Sequence, residues 1–133
     1  MSEKGLNVPT EDEEQESLFR WAAFASAKYP YLKRLMHIPN EGKRSTGYGA
    51  KLKRMGLMKG FPDIFLPMMS GGKGGLFIEL KRSKGGRVTP EQEMCISMLN
   101  SAGYVAKVCR GWTEAADAIC EYAGIDNKIK FEL

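Results

Sequence analysis

The chain has 133 residues, 43% of them apolar, and a formal charge of +4. That length makes one domain with its own core, and the composition is that of an ordinary globular protein. A single histidine and three cysteines with no Cys-x-x-Cys spacing exclude a multi-histidine centre, a zinc site and a disulfide framework.

Cys95, Cys109 and Cys120 read as small buried or near-surface residues in a reducing cytosol. No signal peptide is evident and no apolar run is long enough to span a membrane, so a cytoplasmic location is expected. Glutamate is concentrated before residue 17, which leaves the rest of the chain more basic than the total. A basic surface suits a polyanion such as nucleic acid, although a plain soluble surface would look the same.

Residues 1–9 are polar and expected to be flexible, with a single domain over 10–133. Thr10 and Glu13 form a capping box that opens a helix to about Tyr29, with Leu18, Trp21, Ala22 and Ala25 as its apolar stripe. Leu35 to Ile38 is a short strand. Asn40 to Tyr48 is a polar, basic loop. Ala50 to Met58 reads as a helix with Leu52 and Met55 inward. Two strands follow, around Ile64-Phe65-Leu66 and Leu76-Phe77-Ile78, joined by the glycine-rich Ser70–Gly75 loop. Thr89-Pro90-Glu91-Gln92 opens the next helix, with Thr89 at the N-cap and Pro90 at the first position, and Gly103 stops it. Tyr104 to Cys109 is a strand and Thr113 to Tyr122 a last helix. The order implies an α/β fold: a mixed β-sheet flanked by helices on both faces, with the helix from Pro90 as a right-handed crossover.

The chemistry sits on the hairpin. Asp63 opens its first strand, in Gly60-Phe61-Pro62-Asp63. Glu79 and Lys81 lie on the second, in Phe77-Ile78-Glu79-Leu80-Lys81, and alternation puts them on one face. An antiparallel return brings Asp63 beside Glu79. Two neighbouring carboxylates suit a hard divalent cation, and a lysine beside them can orient water or offset phosphate charge. This is the minimum apparatus for metal-assisted phosphodiester hydrolysis. A solvated Glu–Lys pair on an ordinary hairpin is the plainer alternative.

Pro-Asp on one strand and Glu-x-Lys on the next resembles the PD-(D/E)xK nuclease superfamily, with its restriction-endonuclease-like core. The chain is more specifically similar to the virus-type replication-repair nuclease (VRR-NUC) domain, of the stand-alone bacterial or phage kind. Ile38-Pro39-Asn40, Lys43-Arg44, residues 60–63, Gly75 to Lys81, Gly86 to Gln92 and Val108 to Gly111 carry the likeness, which extends from about Glu11 to Tyr122.

The resemblance implies a metal-dependent DNA endonuclease using Mg2+ or Mn2+. Asp63, Glu79 and the carbonyl of Leu80 would be ligands, and Lys81 would place the attacking water. A first-helix glutamate completes the family's site. The family's Glu-x-x-x-Gln pattern favours Glu11, with Glu14 second. Gln92 matches a family glutamine, and capping alone would also explain it. Asn40, Lys43, Arg44, Tyr48, Lys51, Lys53 and Arg54, with Arg82, Lys84 and Arg87, form the expected DNA-binding surface. His37 reads as structural. Family resemblance further implies a homodimer acting on branched DNA in the manner of a Holliday-junction resolvase, in a bacterial or phage-infected cell. The alternatives are a less selective flap or single-strand nuclease, a restriction enzyme, or a DNA-binding module without catalysis.

Overall fold

The computed structural model describes residues 8–39 and 46–126. Its elements, in order, are α1 (Glu11–Ala25), a 3-10 turn (Pro30–Arg34), β1 (Met36–His37), α2 (Thr46–Arg54), β2 (Ile64–Leu66), β3 (Leu76–Lys81), α3 (Pro90–Ser101), β4 (Val105–Arg110) and α4 (Trp112–Ala123). The strands form one sheet in the order β1-β2-β3-β4. The first two pairings are antiparallel and β3–β4 is parallel, with α3 as the intervening crossover.

Strand alternation divides the core into two layers. Ile64, Leu66, Leu76, Ile78 and Leu80 pack with Leu18, Trp21 and Ala22 of α1 and Ala115, Ala116 and Ile119 of α4. The opposite face carries Phe77 and Ala106 against Leu99 of α3, with Phe61, Phe65 and Tyr104 around them. Phe65 and Phe77, paired across β2 and β3, stack at 4.2 Å, and Phe61 meets Phe77 edge-on at 5.3 Å. The expected mixed sheet with helices on both faces is therefore what forms.

Both capping boxes are present. Thr10 caps α1 with Glu13, and Thr89 caps α3 with Gln92 and Pro90 in the first turn. Gly103, at φ +100°, ends α3 as expected. Three boundaries differ from the sequence reading. The first helix stops at Ala25 rather than near Tyr29, because the Ser26 hydroxyl takes the Ala23 carbonyl at 2.7 Å. The strand at Leu35–Ile38 shortens to Met36–His37, with Leu35 buried in the core instead.

The third difference is α2, which begins at Thr46 and ends at Arg54. Gly56 (φ +107°) donates to the Lys53 carbonyl and Leu57 donates to that of Leu52, closing a Schellman motif. Met55, expected to face inward, is therefore 71% exposed.

The outer edge of the sheet is fastened by side chains. Asn100 bonds both the N–H and the carbonyl of Ala106, each at 2.9 Å, and the Glu114 carboxylate accepts from the Arg110 N–H. At the tip of the hairpin, Ser70 and Tyr122 bond each other's neighbourhood through the Tyr122 and Met68 carbonyls, tying the Gly71–Gly72 turn to the end of α4.

Candidate functional site

The Gly60–Asp63 segment is placed by close approach. Gly60 has φ +85°, and a Cβ there would lie 2.6 Å from the Glu91 carbonyl carbon and 2.8 Å from the Gln92 nitrogen. Only glycine lets this segment cross against the first turn of α3. That crossing sets Asp63 and Gln92 on the same cavity. The Asp63 carbonyl accepts from the Ile38 N–H at 2.7 Å and is 3.0 Å from Nδ1 of His37. A carbonyl only accepts, so the proton of that contact is on Nδ1.

The sheet register explains the next feature. The carbonyls of Gly75 and Lys81 face β4, so alternation turns the backbone groups of Leu80 toward the β2 side. Two residues beyond the Ile64–Ile78 pair, Pro62 would stand opposite Leu80. Proline has no N–H to give to the Leu80 carbonyl, so the ladder cannot continue. The Leu80 N–H donates instead to Oδ1 of Asp63 at 3.0 Å.

Glu79 and Lys81 sit side by side on β3, each under 10% exposed, with Nζ 3.6 Å from Oε2. Gln92 uses both ends of its amide. Oε1 accepts the Thr89 N–H at 2.9 Å, and Nε2 donates to Oε2 of Glu79 at 3.1 Å. Capping and contact with the acidic centre are thus one residue's work.

Burial drives the electrostatics. It pushes the Glu79 carboxyl up to about 8, helped by the Asp63 charge and opposed by Lys81. Asp63 rises to about 6, again chiefly from burial, with the Leu80 N–H holding it down and Glu11 pushing it up.

These residues line a cavity of about 420 Å³, together with Glu11, Asp12, Gln15, His37, Pro39, Lys59, Gly60, Phe61 and Thr89. The two first-helix candidates separate here. Glu11 faces the cavity. Glu14 is 4% exposed and its Oε1 accepts the Trp112 N–H at 2.8 Å, capping the N-terminus of α4.

Among the described residues, no three carboxylate, histidine or cysteine side chains gather closely enough to hold an ion by themselves. Two carboxylates in a cavity suit magnesium or manganese, which take the rest of their oxygens from water and phosphate. Asp63 and Glu79 are such a pair, buried and mutually repelling. The donor set therefore fits a hard divalent cation.

The basic residues divide. Asn40, Lys43 and Arg44 lie outside the described residues. Tyr48, Lys51, Lys53 and Arg54 are exposed on α2, and Lys84 and Arg87 are exposed on the loop after β3. None of these lines the cavity. Arg82 is an anchor: Nε and a terminal nitrogen bond the carbonyls of Pro9 and Val8, tying the approach to α1 to the end of β3. Lys59 does reach the cavity and pairs with Glu91 at 3.9 Å. The sequence reading missed Asp12 as a cavity residue and took His37 as a structural strand residue facing a neighbour or the cleft; it lines the cavity. His37 stands opposite Ile64, the residue after Asp63, and that place on the neighbouring strand brings it to the cavity.

No helix among the described residues is long and apolar enough to cross a membrane. The VRR-NUC domain family matches residues 11–113. A solved structure of a VRR-NUC domain protein is 31% identical, with a TM-score of 0.72, covering 87% of this chain and 89% of its own. No curated protein matches the chain.

Proposed function

This chain belongs to the VRR-NUC domain family, nucleases of the PD-(D/E)xK superfamily, and on that premise we propose that it is a metal-dependent DNA endonuclease selective for branched structure. One observation carries the reading: Asp63, Glu79, Lys81 and Gln92 converge on a single open cavity. A soluble binding module has no use for two buried carboxylates that repel both each other and DNA. Residues 10–133 form the nuclease domain in this reading, and the cytoplasm is its setting.

Asp63, Glu79 and the Leu80 carbonyl would hold Mg2+ or Mn2+, with Glu11 adding charge from α1. Such a cation would supply Lewis acidity, lowering the pKa of water and offsetting phosphate charge. Lys81 orients the attacking water and faces the charge that develops on the phosphoryl oxygens. Gln92 fixes the Glu79 carboxylate through Nε2. Water adds to phosphorus as the bond to the leaving oxygen breaks, with no covalent intermediate. The exposed cations of α2 and of the loop after β3 bind phosphates without reading sequence.

A homodimer would set two such cavities about a two-fold axis, as cutting both strands of a Holliday junction requires. That assembly, and a phage or bacterial origin, rest on family resemblance. The test uses labelled four-way junction, fork, flap and linear duplex in magnesium and in manganese, with Glu79→Ala as control. Symmetric junction cutting that disappears in the variant is the expected result. Cutting of flaps or single strands alone would keep the nuclease and remove the resolvase. Binding without any cutting would leave the DNA-binding module.

A further inference from the structure

A second recess, of about 320 Å³, adjoins the catalytic cavity and shares Pro39 and Phe61 with it. The rest of its lining among the described residues is Ile38, Gly56, Leu57 and Met58, none of them with an ionisable side chain. The contrast is sharp, since the neighbouring cavity carries four carboxylates and two lysines among its lining residues. A hydrated phosphate gains nothing from an apolar wall.

The recess is built rather than loose. Phe61 is held edge-on against Phe77, and the Schellman motif at Gly56 fixes where Leu57 and Met58 leave α2. Met58 stands 49% exposed.

We propose that this recess receives the base of an unpaired nucleotide adjoining the scissile phosphate. The proposal rests on the nuclease reading and names the substrate feature it selects. Because the recess shares Pro39 and Phe61 with the catalytic cavity, a strand with its phosphate in the cavity can lay a neighbouring base against the recess. Charge complementarity supports the same occupant, because Lys51, Lys53 and Arg54 are exposed on the helix that leads into it.

A base within a duplex is stacked and cannot reach such a wall. A base at a flap, gap or junction can, and burying its face against apolar side chains offsets the loss of stacking. Among the described residues the lining offers no strong side-chain donor or acceptor to a base edge. Recognition is therefore of an unpaired base as such, indifferent to its identity.

The test maps the cut in a flap or junction and then replaces the base on either side of it by an abasic site. Full-length wild type, Met58→Ala and Leu57→Ala are compared by cleavage rate in magnesium and by DNA-binding anisotropy in chelator. Met58 is exposed, so its variant keeps the fold, and a melting curve checks Leu57→Ala.

On DNA with the base present, the variants should lose about tenfold in kcat/KM, the scale of one base contact. On the matching abasic DNA, variant and wild type should be equal. An equal loss on both DNAs, or wild-type cutting indifferent to the abasic site, overturns the proposal. So does a change in sedimentation of Met58→Ala without DNA, which would assign the recess to a second copy of the chain. DNA neither bound nor cut by the wild type would instead sink the nuclease reading itself.

Discussion

Gln92 donates from Nε2 to the Glu79 carboxylate at 3.1 Å while the Thr89 N–H holds its other end at 2.9 Å. The helix cap and the acidic centre therefore share one amide. Glutamate also closes a capping box, but here it would turn a second carboxylate on Glu79. Gln92→Glu should keep thermal stability near wild type and lower cleavage about tenfold or more, with the optimum displaced to higher pH. Gln92→Ala should in addition lose about 0.5–2 kcal/mol of stability with the cap. Paired melting curves and pH–rate profiles check both.

The two raised carboxyls make a signed prediction. With folded values of about 6 for Asp63 and about 8 for Glu79, above ordinary carboxylate values, the folded state binds more protons than the unfolded state. Their contribution to stability is complete below pH 4 and is lost as pH rises through about 8. Cation binding displaces those protons, so its affinity rises over the same range. Melting temperature with and without magnesium, from pH 5 to 9, should show a gap that widens with pH. A constant gap would remove these carboxylates from the binding site.

Glu11 and Glu14 should separate cleanly in experiment. Glu14→Ala strips the cap from α4 and should lower stability by about 1–3 kcal/mol, with cleavage kept in the folded fraction. Glu11→Ala, at an exposed position, should leave the melting curve unchanged and weaken magnesium dependence. The reverse pattern would exchange their roles.

Gly60→Ala meets both a positive φ and backbone atoms under 3 Å away, whereas Gly72→Ala meets only a positive φ, with nothing within 4 Å. Gly72→Ala should cost about 1–2 kcal/mol. Gly60→Ala should cost more and should also slow cleavage, because relief of the clash moves Asp63 away from Gln92. Denaturant unfolding and cleavage rates measure the two effects.

What the sequence disclosed was whatever short-range chemistry decides. Thr89-Pro90-x-Gln92 announced the start of α3 and Gly103 its end, and the apolar runs around Asp63 and Glu79 announced a hairpin. The end of α2 was misread because basic and apolar residues continue to Met58, and Gly56 was not taken as the stop it is. The end of α1 depended on one serine hydroxyl choosing a carbonyl. Within the site, alternation was enough to put Glu79 and Lys81 on one face, and the antiparallel return of the hairpin to bring Asp63 beside Glu79. Glu11 and Glu14 are three residues apart on a helix and nearly share a face, so only the arrival of Trp112 from the far end of the chain tells them apart. The reach of Gln92 to Glu79 was hidden for a like reason, since it needs Gly60 to cross α3.

Asn100 and Glu114 have a consequence for how copies of this protein meet. Alternation turns Ala106, Val108 and Arg110 outward on β4, and those two side chains occupy both backbone groups of the first and the N–H of the third. Half of the outward backbone groups of β4 are thus taken, which makes this border a poorer template for a neighbour's strand and disfavours edge-to-edge pairing through β4. A dimer joined through this border would have to displace Asn100 and Glu114, so substituting those two side chains tests whether β4 takes part in any pairing of copies.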